Sequence, residues 1–156
     1  MDVKYINPFI NATINTMETM MGLSIEPKPP YTKDKLQTQG DISGVIGFAE
    51  KNVSGSVVLS FPEETALKLY AALTGDKVFQ ITRDVEDSIG ELTNIVAGGA
   101  KTVLAAQGLT FNISIPSVIV GKNHTINTKI DSPIIVIPFQ FDRLRFVMEV
   151  TMKVDL

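Results

Sequence analysis

The sequence predicts an α+β fold in one domain, residues 1–156, with a largely antiparallel sheet, two long helices and a shorter one. Three observations lead there. Apolar residues recur at intervals of three and four along three stretches, the mark of helices with one buried face. Strand-like stretches come in pairs joined by two polar residues, which suits antiparallel hairpins and nothing longer. A chain of 156 residues with 44% hydrophobic content can also bury a sizeable core without disulfides or a structural metal.

The first helix is marked by Ile6, Phe9, Ile10, Ile14, Met17 and Met21, with Asn7-Pro8 as a cap and first-turn pair, a start a few residues earlier left open, and Gly22 as its stop. Glu26 to Gly40, rich in proline and charge, is expected to be an exposed connection that adds nothing to the core, with Lys33 and Lys35 in solvent. Asp41 to Glu50 and Val53 to Phe61 alternate across a Lys51-Asn52 link and form a hairpin. Pro62-Glu63-Glu64 opens the short helix, with proline in the first turn and acids near the positive helix end, and Gly75 closes it after Thr74.

The longest helical pattern runs from about Asp84 to Gln107, with Val85, Ile89, Leu92, Val96, Ala100, Val103 and Leu104 on one face and Gly108 as the stop. Three strands are expected to follow: Thr110 to Val120, Ser132 to Phe141, and Leu144 to Val154, the last two joined by Asp142-Arg143. Shifting the chain by 86 residues lays Gly22-Leu23-Ser24 on Gly108-Leu109-Thr110 and Pro30 on Pro116, which hints at two related halves.

Composition narrows the chemistry. There is no cysteine, so thiol nucleophiles, cysteine-held metals and disulfides are excluded. His124 is the single histidine; it lies in a polar link and is expected to be solvated, and any Ser–His–Asp arrangement would have to rest on it. A net charge of −3 lacks the basic footprint of a nucleic-acid binder. No apolar run reaches membrane-spanning length, and the first residues do not form a basic segment followed by an apolar one, so a cytoplasmic protein is expected.

On the long helix, Asp87, Glu91, Asn94 and Gly98 are spaced by four, three and four residues, which puts them on one stripe away from the apolar face. Asparagine inside a helix costs roughly half a kcal/mol relative to alanine. A carboxylate and a carboxamide one turn apart, beside the small residues Ala97, Gly98 and Gly99, leave room for something to dock closely. Spacing alone also fits a solvated face whose acids offset the helix dipole, or a capping box from Ser88 to Glu91. Val85 and Ile89 already belong to the apolar stripe, which argues that the helix starts before Ser88.

Asp87-x3-Glu91-x2-Asn94, followed by 21 residues and then Pro116, resembles the signature of the CheC/CheX/FliY family of chemotaxis phosphatases. The likeness extends through YINPFINATINTMETMMGL, SGSVVLSFPEETALKL and IGELTNIVAGGAKTVL, over nearly the whole chain. It implies a pseudo-twofold CheC-like fold, a homodimer joined through sheet edges, and hydrolysis of the aspartyl phosphate on a CheY-like receiver domain. In that reading Glu91 pairs with the receiver's lysine and Asn94 orients the hydrolytic water, with Asp87 and Gly98 in support. Mg2+ is supplied by the receiver, and the chain needs no metal ligands or cofactor of its own. Under the 86-residue shift Glu91 falls on Tyr5 and Asn94 on Pro8, so the first half lacks the pair, as in the single-site CheX branch. Pro116 is expected to shape the strand after it, and Gly98 and Gly99 to permit close approach of a partner or a neighbouring helix. The alternative function is a non-catalytic adaptor that binds a receiver or a flagellar switch component.

Overall fold

A computed structural model describes residues 3–38, 40–128 and 130–155. Among the described residues, three helices, α1 (Val3–Met21), α2 (Glu63–Thr74) and α3 (Arg83–Ala106), accompany one eight-stranded sheet. Its strands are β1 (Glu26–Pro27), β2 (Tyr31–Lys33), β3 (Ile42–Glu50), β4 (Val53–Phe61), β5 (Asn112–Ile113), β6 (Ser117–Val120), β7 (Ile134–Phe141) and β8 (Leu144–Val154). Every pairing is antiparallel, in the order β1-β7-β8-β4-β3-β5, with β2 also on β7 and β6 also on β3.

Both hairpins stand where alternation placed them, β3–β4 closing at Glu50↔Val53 and β7–β8 at Phe141↔Leu144. The helices stop at Gly22, Gly75 and Gly108, whose φ angles of 66°, 81° and 89° are the left-handed values that end helices without steric cost.

One open point is decided and two expectations need correction. The helix at the start of the chain begins at Val3, the earlier start left open, and Pro8 lies buried in its second turn. Packing outweighs the N–H that proline withholds, because Ile6, Phe9, Thr13 and Met17 on the same face are buried too. The stretch from Glu26 to Gly40 is more than a connection: it supplies β1 and β2 to the sheet edge, and Thr38 is buried. Its prolines are tolerated because an edge strand need not donate on its outer side. The expected strand from Thr110 to Val120 is split into β5 and β6 around Ser114, Ile115 and Pro116, where proline has no N–H for the ladder.

All three helices cover one face of the sheet. Val57, Leu59, Phe61, Ile137, Phe139, Phe146, Met148 and Val150 point towards them and form the core, with Phe139, Phe146 and Phe61 stacked at centroid distances of 5.0 and 4.9 Å. The opposite face is sealed by the segments after β2 and after β6. There Gln37 pairs with Thr125, the Thr38 backbone N–H donates to the His124 carbonyl at 3.0 Å, and Lys33 Nζ meets Glu149 Oε2 at 2.7 Å.

The hint of an internal repeat becomes a pseudo-twofold architecture. The 86-residue step carries Pro27 onto Ile113 and Tyr31 onto Ser117. Their partners correspond as well: Pro27 pairs with Phe139 and Ile113 with Phe48, while Tyr31 pairs with Val136 and Ser117 with Val45. Each half lends its short strands to the long hairpin of the other, and β4 and β8 pair across the middle. The two halves are interlocked.

Candidate functional site

α3 is fixed at both ends and along its inner face. Thr82 caps it, its side chain accepting from the Val85 N–H at 3.3 Å, and Asp84 and Glu86 lie in the first turn. Ser88 is therefore interior, and Glu91 is free of the capping box. Val85, Ile89, Leu92, Val96, Ala100 and Leu104 are buried against the sheet and α1. Gly44 of β3 lets the helix ride close to the strand: a Cβ there would collide with the Thr93 side chain and lie 3.2 Å from the Ile89 carbonyl. Thr93 is itself buried and donates to that carbonyl at 2.7 Å.

This seating turns the predicted stripe outward. Asp87 and Glu91 are exposed, and Asn94 and Gly98 are half-buried. Among the described residues, neither the Glu91 carboxylate nor the Asn94 carboxamide is engaged in a hydrogen bond or ion pair. The two close-approach glycines divide their roles. A Cβ on Gly98 would meet nothing within 4 Å, whereas one on Gly99 would sit 3.3 Å from Ala12 of α1. Gly99 serves helix packing, and Gly98 leaves the surface beside Asn94 low and open.

The stripe borders a cleft of about 480 Å³ between the first half of α3 and β6. Arg83, Glu86, Asp87, Gly90 and Glu91 form one wall, Pro116 and Val118 the other. Asp87, Glu91 and Pro116, distant in sequence, are thus brought together, and Pro116 both precedes β6 and walls the cleft. Asn94 and Gly98 lie further along the helix, outside it. Sequence reasoning missed Gly90, whose Cβ would come within 3.2 Å of Val118. A glycine inside a strong helical pattern was the available signal, since it costs about 1 kcal/mol there unless packing requires it.

Two polar groups on the sealed face depart from expectation. His124 is half-buried: Nδ1–H donates to the Gly121 carbonyl at 2.6 Å, and Nε2 lies 2.6 Å from Ser43 Oγ, itself 2.9 Å from Ser60 Oγ. Because a carbonyl only accepts, Nδ1 carries a proton, while the Ser43 hydroxyl donates to Ser60 Oγ. Ser43 has no exposed surface, so this Ser–His pair is closed to substrate and acts as a lock. Lys33, expected in solvent, is held by Glu149 and by the Gln37 carbonyl at 2.9 Å. Burial pushes the Glu149 carboxyl above its ordinary range, outweighing the pull of the Lys33 ammonium.

Chemically, the stripe offers an acceptor-only carboxylate and a carboxamide that both donates and accepts, on a rigid support. Among the described residues no three of His, Cys, Asp and Glu cluster as a metal site, and no helix is long and apolar enough to cross a membrane.

Comparison with known proteins bears on this geometry. Residues 42–140 match the model of the family described as chemotaxis phosphatase CheX. The CheY-P phosphatase CheX of Thermotoga maritima is 29% identical over 129 residues, 82% of this chain and 83% of that protein. A CheC-like superfamily protein from Shewanella sp. PV-4 superposes with a TM-score of 0.92 at 36% identity, over 98% of this chain and 99% of that one. The CheX–CheY–BeF3–Mg2+ complex from Borrelia burgdorferi gives 0.82 at 28% identity, over 96% of this chain and 97% of that one.

Proposed function

The chain belongs to the CheX family of CheC-like chemotaxis phosphatases, and from that membership we propose that it is a CheY-P phosphatase, hydrolysing the aspartyl phosphate of a CheY-like receiver domain. One observation carries the reading: Glu91 and Asn94 stand unpartnered on the outer stripe of a rigidly seated helix, beside the open surface at Gly98.

The division of labour follows from the two groups. The Glu91 carboxylate pairs with the receiver's lysine and draws it from the phosphoryl group. The Asn94 carboxamide, neither base nor nucleophile, accepts from and donates to one water and holds it in line with the phosphorus. Asp87, one turn before Glu91, adds negative potential toward the same lysine, and Gly98 lets the receiver approach. Mg2+ comes with the receiver, where it neutralises charge on the phosphoryl oxygens; the Borrelia relative's complex with CheY, BeF3 and Mg2+ supports this assignment.

The reading extends to a cytoplasmic homodimer joined at the sheet edges. The edges on offer are short: β2 has three residues and β6 four. Sedimentation equilibrium tests the dimer.

The proposed activity is tested by following the decay of a phosphorylated receiver with and without the protein, alongside binding to the beryllofluoride-treated receiver. Faster decay supports hydrolysis. Binding with unchanged decay identifies the adaptor alternative instead.

A further inference from the structure

Resting on the receiver-phosphatase reading, we infer that Ile115 is an apolar anchor for the receiver, setting affinity at the rim of the cleft that holds Glu91. It is 85% exposed, the most exposed large apolar side chain among the described residues. Solitary apolar residues on a surface are ordinary, so the inference rests on how and where this one is held.

Ile115 sits on a stiff support. The Ser114 N–H donates to the Gly47 carbonyl at 2.8 Å, and the Gly47 N–H donates back to Ser114 Oγ at 3.0 Å. Ser114 Oγ also donates to the Ile115 carbonyl at 3.0 Å. Pro116 follows with a fixed φ and forms the cleft wall opposite Glu91. A β-branched side chain on such a support has little conformational freedom to lose on contact.

Across the pseudo-twofold, the counterpart of Ser114-Ile115-Pro116 is Lys28-Pro29-Pro30, between β1 and β2. The fold therefore does not require isoleucine on this arm. Isoleucine stands on the arm that walls the armed helix, and proline on the other. The cleft beside it carries three carboxylates, Glu86, Asp87 and Glu91, against one guanidinium, Arg83, which suits a partner presenting a lysine. An apolar contact flanking a charged one is the arrangement that shields the charge pair from water.

The test compares Ile115→Asp and Ile115→Val with the unsubstituted protein, and uses Tyr31→Ala on the opposite edge as control. Ile115→Asp should weaken binding of the beryllofluoride-treated receiver and raise KM for the phosphorylated receiver roughly tenfold, a factor expected from losing one buried aliphatic contact. It should leave kcat within about twofold, the split expected of uniform binding. Ile115→Val should recover most of the affinity, and Tyr31→Ala should change nothing. Unchanged receiver binding in Ile115→Asp would overturn the inference. So would a change in the protein's own sedimentation without receiver, which would make this a contact between copies. If the unsubstituted protein binds the receiver but does not speed its decay, the phosphatase reading fails while the binding comparison still decides the role of Ile115.

Discussion

α1 and α3 are counterparts across the pseudo-twofold axis, meeting where Ala12 lies against Gly99, and the proposed Glu91/Asn94 pair stands on α3. At the positions of Glu91 and Asn94, α1 has Tyr5, half-buried, and Pro8, buried. The strands beneath them differ too. β3 has Gly44 under Thr93, and the corresponding position of β7 is Ile135, paired with Thr32 as Gly44 is paired with Val118. One half is thus shaped to present a helix, and the other to support it.

The largest expected effect lies in that asymmetry. Asn94→Ala should cut the accelerated decay about a hundredfold, the scale on which removing one positioned hydrogen-bonding group acts, with receiver binding largely kept. Decay kinetics at saturating protein measure it.

The next effect sets the sealed face against the helical face. Lys33→Met should destabilise the fold by about 3 kcal/mol at neutral pH, because it strands the buried Glu149 carboxylate. Glu149 has a raised folded-state pKa, so its contribution is most favourable below the ordinary carboxylate range and declines as pH rises through the folded value. The deficit of Lys33→Met should therefore shrink on acidification, which denaturant titrations across pH check.

Gly44→Ala probes the seating of α3. Its Cβ meets Thr93, so a loss of about 2 kcal/mol and a fall of about 6 °C in Tm are expected. A thermal melt measures that, and a decay assay on the variant shows whether the displaced stripe still works. Glu91→Gln should weaken receiver binding about tenfold by removing a charge and keeping the shape. Asn11→Ala, on the exposed face of α1, should leave both decay and binding unchanged; any effect there would erase the distinction between the two helices.

Much of this fold was legible because its long elements carry strong periodic signals. Val85 to Leu104 could only be a one-faced helix, and the two-residue links at Lys51-Asn52 and Asp142-Arg143 left only hairpins. The short strands were not legible. β1 has two residues, one of them proline, and pairs with Phe139, far along the chain. Nothing local records such pairing. The same holds for Lys33 with Glu149 and for Ser43 with His124, which the sheet alone brings together. As for the site, spacing placed Asp87, Glu91, Asn94 and Gly98 on one stripe but did not separate it from a solvated face. The resemblance favoured the site over the solvated face. The cleft wall at Pro116 needed the fold.

The most direct measurement of the proposed hydrolysis is the decay of a phosphorylated CheY-like receiver in Mg2+ with saturating protein present. Decay well above the receiver's own rate is expected, returned to that rate by Asn94→Ala while binding persists. An unaltered decay under conditions where the receiver is demonstrably bound would contradict it.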